Sequence, residues 1–96
     1  MSDSVTAESL RAHSQCLLTE LDDGTGVVLN IESKFYFTLN STAVVVWKEL
    51  ASGARTRAEL ASSLVSAFEV GEAEAAADVE LLMTELLAEG LVERAG

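Results

Sequence analysis

The sequence predicts an α+β domain in which a three-stranded antiparallel sheet is followed by three helices. Three observations predict it. The first 40 residues alternate β-rich runs with Asp/Gly turn clusters, and the second half carries helical apolar stripes with cap signals. Between them, Phe35-Tyr36-Phe37-Thr38-Leu39-Asn40 passes from strand formers straight into a helix-capping Asn. With 96 residues, 49% of them apolar, the chain suits one small core without a deep cleft.

The elements follow in order. Residues 1–14 are small and polar apart from Val5 and Leu10, and read as a flexible tail with a helical turn from Thr6 to Leu10. The domain proper is expected over 15–96. Residues 15–21 read as the first strand, and Asp22-Asp23-Gly24-Thr25-Gly26 as a turn. Residues 27–32 form the second strand. Ser33 and Lys34 carry a reversal, and 35–39 form the third strand.

Asn40 caps a first helix over about 41–51. Its Val44-Val45-Val46 run has poor helix propensity, so burial must hold it. Thr56-Arg57-Ala58-Glu59 is a capping box that opens a second helix with Leu60, Leu64, Val65 and Phe68 on one stripe. The third helix spans about 72–89, with Ala75, Ala76, Val79, Leu82, Met83, Leu86 and Leu87 as its stripe and Gly90 as its stop. Leu91-Val92 reads as a last short extended piece.

The charges narrow the function. Six Lys and Arg face 16 Asp and Glu, for a net charge of −10, which repels phosphate backbones and anionic lipid. A helix–turn–helix after a small sheet suggests a winged-helix DNA binder. Glu72, Glu74, Asp78, Glu80, Glu85 and Glu89 on the third helix, without a Lys or Arg among them, argue against it. The bland reading of these acids is a solvated face. Charges interrupt every apolar run well before the roughly 18–20 residues of a membrane span. The start lacks the basic and apolar regions of a secretory signal, and a single cysteine permits no internal disulfide. A cytoplasmic location is the default expectation.

Catalysis finds no support. His13 stands alone, Cys16 has no partner at ligand or general-base spacing, and no phosphate-binding glycine loop is present. No catalytic residue, metal site or cofactor is expected. Trp47, inside an apolar helix, reads as core rather than as a stacking platform. The third strand is more informative. Tyr36 to Leu39 carries no proline, charge or bulge glycine, the devices that blunt a sheet edge. At an edge it is a template for an extended peptide.

Several segments together resemble the PqqD-like family, also called RiPP recognition elements, over roughly residues 15–93. They are Asp22-Asp23-Gly24, Val28 to Glu32, Tyr36-Phe37-Thr38-Leu39-Asn40 followed by Trp47, Thr56 with Leu60, and Asp78-Val79, Leu82-Met83, Leu86 and Gly90-Leu91-Val92. The hairpin departs from the pattern: relatives often carry a glycine and a basic residue where this chain has Lys34-Phe35. The resemblance implies a winged-helix-like fold that binds the leader of a ribosomally made precursor peptide. The leader adds as a strand to the third strand, flanked by the third helix. The domain then delivers the precursor to a modifying enzyme such as a radical-SAM enzyme, a cyclase or a leader protease.

The residues expected to line that groove are Phe35, Tyr36, Phe37, Thr38, Asp78, Leu81, Leu82 and Glu85. Leu81 lies off the core stripe with Asp78 and Glu85 three and four residues away, which suits a leader with a hydrophobic anchor near a Lys or Arg. For Phe37, strand alternation leaves groove and core equally open. The alternative function is a non-catalytic adaptor, or a homodimer paired through the same strand.

Overall fold

The structure is a computed structural model that describes residues 8–95. Its strands are β1 (Ser9–Ala12), β2 (Cys16–Glu20), β3 (Gly26–Asn30), β4 (Tyr36–Leu39), β5 (Arg55–Thr56) and β6 (Val92–Arg94). Its helices are α1 (Ser41–Ser52), α2 (Arg57–Ala67) and α3 (Glu72–Ala88). The α+β reading holds. The strands form two antiparallel sheets, β2-β3-β4 and β5-β1-β6.

The second sheet corrects the expected tail. Residues 9–12 are a strand, and Leu10 is 0% exposed in the core. β1 pairs with β5 at Ser9–Thr56 and with β6 at Leu10–Arg94, Arg11–Glu93 and Ala12–Val92. The Ala95 N–H donates to Ser9 and the His13 N–H to Leu91, both at 2.9 Å. Every partner is distant in sequence, so no local pattern announces this strand. Ser9 and Leu10 therefore do not form the expected helical turn. Thr6, Ala7 and the earlier tail lie outside the described residues. Charges lace the same region: Arg11 pairs with Glu93, Arg94 with Glu8, and Arg57 with Glu8 and Glu80.

The first sheet is built by its turns. Asp23 Oδ1 accepts from the Thr25 N–H (3.1 Å) and hydroxyl (2.6 Å). Chiefly the hydroxyl bond holds the Asp23 carboxyl below its usual pKa. The second turn is longer than the expected Ser33–Lys34 reversal, so β3 ends at Asn30 rather than Glu32. The buried Asn30 side chain accepts from the Glu32 N–H (2.9 Å) and Ser33 N–H (3.1 Å). Lys34 closes the loop at φ 66°, in the left-handed region that glycine enters without strain.

The helices begin and end as their sequences dictate. Asn40 Oδ1 accepts from the Ala43 N–H at 2.8 Å. Thr56 and Glu59 form the reciprocal capping box. Gly90, at φ 74°, ends α3 in a Schellman motif, its N–H on Leu87 and that of Leu91 on Leu86. Val44 and Val46 are buried and Val45 half-buried, so tertiary packing holds the β-branched run. Trp47 is buried with Leu39, Leu50, Leu60, Leu64, Val79 and Met83. Ala76, expected on the α3 stripe, is exposed.

Gly26 sets the distance between sheet and helix. A Cβ there would meet Leu18 Cδ1 at 2.9 Å, Val44 Cγ2 at 3.1 Å and the Thr19 carbonyl oxygen at 3.2 Å. The side chains can turn aside, but the backbone oxygen belongs to the paired strand. Gly26→Ala is expected to destabilise the domain by about 1–3 kcal/mol. A lower urea midpoint at unchanged m-value measures it.

Candidate functional site

β4 is paired along one side only. It lies at the edge of its sheet, with β3 as its single neighbour. The Asn30 N–H donates to the Phe35 carbonyl at 2.8 Å, which sets the alternation of the ladder. Phe37 and Leu39, opposite Val28 and Gly26, then bond inward to β3. Tyr36 and Thr38 direct their N–H and C=O groups to the open side. No described strand takes them.

A groove of about 250 Å³ runs beside that edge. Phe37, Thr38 and Leu39 form its strand wall, and Asn40, Thr42 and Ala43 its floor at the start of α1. Asp78, Leu81, Leu82 and Glu85 form the opposite wall on α3. Their spacing of three, four and seven residues puts them on one face of the helix. Leu81 is 63% exposed and Leu82 half-buried, so the wall is apolar with an acid at each end. Neither Asp78 nor Glu85 has an ion-pair partner among the described residues.

The groove brings together most of the residues that the sequence singles out. Phe37 answers its open question both ways: it is half-buried against the core and lines the groove. Phe35 and Tyr36 do not line the cavity. Strand alternation turns Tyr36, 64% exposed, to the outer face, where Leu17, Leu29 and Tyr36 make a row across the three strands. Tyr36 reaches the open edge through its backbone alone. Sequence reasoning missed Leu39, Asn40, Thr42 and Ala43 as lining. Asn40 reads locally as a cap, which it is, and only the third dimension places it under the groove.

Among the described residues no cluster of His, Cys, Asp and Glu could hold a metal ion. The free Cys16 is half-buried and packs against the core. Burial, and then the charge of Glu93, push its thiol above the ordinary value, which disfavours the nucleophilic thiolate. Trp47 is buried, away from any stacking role. Among the described residues no helix is long and apolar enough to cross a membrane.

Comparisons with known proteins converge on one kind of domain. The family profile of coenzyme PQQ synthesis protein D (PqqD) matches residues 25–92. A lasso peptide synthetase B1 complexed with the leader peptide superposes with a TM-score of 0.72 at 30% identity, covering 88% of this chain and 96% of that chain. TbiB1 in complex with the TbiA(beta) leader peptide shares the fold at a TM-score of 0.75 and 18% identity, over 86% and 94% of the two chains. No curated protein sequence matches significantly.

Asn40 joins the groove floor to the stability of α1. Asn40→Ala is expected to cost about 1 kcal/mol through loss of the cap. Thermal or urea unfolding measures this, and Asn40→Asp, which keeps a capping oxygen, should recover most of it.

Proposed function

The chain belongs to the PqqD family of RiPP recognition elements, and from that premise we propose that it binds the leader segment of a ribosomally synthesised precursor peptide and presents it to a modifying enzyme. The observation that carries this reading is a strand edge left open beside an apolar groove. The leader lies along β4 as a further strand. It bonds to the outward N–H and C=O groups of Tyr36 and Thr38 and sets alternate side chains into the groove. Phe37, Thr38, Asp78, Leu81, Leu82 and Glu85 form the wall that reads those side chains. The domain performs no catalysis itself, and the enzyme served is a radical-SAM enzyme, a cyclase or a leader protease.

Simple energetics show why the groove matters as much as the edge. Each strand hydrogen bond contributes about 0.5–1.5 kcal/mol net. Ordering each leader residue costs about 1–2 kcal/mol. The two nearly cancel, so backbone pairing sets register and direction. Net affinity comes from apolar leader side chains, each stabilising the complex by about 1.5–3 kcal/mol when buried. Exposed Leu81 and half-buried Phe37 and Leu82 are the surfaces available to them.

The test is a titration of the full chain with leader peptides from the precursor genes that neighbour its own, followed by amide NMR. Binding with the largest shifts over residues 35–39 and 78–86 is the expected result. No binding, with a concentration-dependent dimer instead, would replace leader recognition by an adaptor that pairs through β4.

Two variants separate edge from groove. Thr38→Pro removes an N–H that points away from β3, so the sheet keeps its ladder. It should weaken leader binding about tenfold with little change in melting temperature. Leu81→Asp should abolish binding while the fold, which leaves Leu81 outside the core, survives. Unchanged affinity in Thr38→Pro would rule out strand addition. Unchanged affinity in Leu81→Asp would rule out the groove.

A further inference from the structure

We infer that the groove selects leaders in which basic side chains flank the hydrophobic anchor, in the pattern basic–x–apolar–x–basic. This rests on the leader-binding reading above and adds the chemistry of the peptide. Asp78 and Glu85 stand at the two ends of the α3 wall, with Leu81 and Leu82 between them. Seven residues of helix separate the acids by about 10 Å along the axis. On an extended peptide, side chains on one face recur about every 6.6 Å, so the first and fifth residues lie about 13 Å apart with the third between them. Lys and Arg stems are flexible enough to absorb the difference. An apolar third residue then meets Leu81 while the first and fifth reach the acids.

The charges elsewhere reinforce the selection. Arg11 pairs with Glu93, Lys48 with Glu20, Arg55 with Glu49, Arg57 with Glu8 and Glu80, and Arg94 with Glu8, and none of these residues lines the groove. Lys34, on the β3–β4 loop, is the one Lys or Arg without an ion pair among the described residues. No cation among the described residues pairs with Asp78 or Glu85. The chain as a whole carries −10, so an acidic leader is repelled at long range and a basic one attracted. The two acids are exposed, so each pair is modest and screened by salt. They raise affinity mainly through faster association with a basic leader, so the effect is largest at low salt.

The experiment uses the full chain, the double variant Asp78→Asn/Glu85→Gln, and a synthetic leader from the neighbouring precursor gene. A second peptide replaces the Lys and Arg residues on either side of the anchor by Gln. The double variant should bind the natural leader about 5–20-fold more weakly at low salt, and the gap should close in 0.5 M NaCl. The Gln-substituted leader should bind the native chain with the same deficit, and the double variant should add no further loss. Equal affinity of native chain and double variant at low salt overturns the inference and leaves strand addition standing. So does a bound leader without Lys or Arg beside its anchor. If the native chain binds no leader at all, the leader-binding reading itself fails, and this inference with it.

Discussion

Everything at the groove depends on β4 being satisfied along one side only. A backbone N–H or C=O needs a partner in the fold or in water. At Tyr36 and Thr38 no described strand is that partner, because β3 takes only the opposite set of groups. An open edge is a hazard as well as a docking strip, since any extended chain can add to it. This strand is four residues long, which limits how many bonds an indiscriminate partner can form. The α3 wall stands beside it with an acid at each end, and that charge repels an acidic strand.

The edge is held in place by features that are individually small. Leu39 is buried and Asn40 caps α1, so the strand passes into the helix with no slack at the junction. Gly26, opposite Leu39, lets α1 close against the sheet. The Asn30 side chain fixes the loop on which β4 begins. An ordered strand binds an extended peptide with less loss of freedom than a disordered one, because only the peptide must be ordered. On the proposed reading, the packing of this junction therefore serves binding as well as stability.

Much of this was legible in the sequence, and what was not has physical reasons. α1 and α2 announce themselves because caps are local: Asn40, and Thr56 with Glu59, each act within three residues. Val28 and Leu39 alternate with exposed Leu29 and Thr38, so the faces of β3 and β4 follow from a period of two. β1 escaped because its four residues pair only with Arg55–Thr56 and Val92–Arg94. Leu10 was its single clue. Tyr36 stands outside the cavity for a related reason, and Phe35 precedes the strand. An aromatic run shows strand preference, but parity decides that Phe37 turns inward and Tyr36 outward. Thr42 and Ala43 were invisible because a floor formed where a helix begins is a property of the assembled fold.

α3 shows how one helix can serve stability and recognition with little conflict. Its core residues Ala75, Val79, Met83 and Leu86 are fully buried. Its groove residues Asp78, Leu81 and Glu85 are exposed on a neighbouring face. A change on the first face meets dense packing and costs stability. A change on the second meets only water and a bound peptide, and surface substitutions of that kind usually shift stability by less than about 0.5 kcal/mol. Leu82 is the exception, since it packs against the core and also lines the groove. On the proposed reading, the helix can therefore vary its acids and its exposed leucine, and with them the preferred peptide, over a core that stays the same. On this helix Leu82 is the residue that both packs on the core and lines the groove.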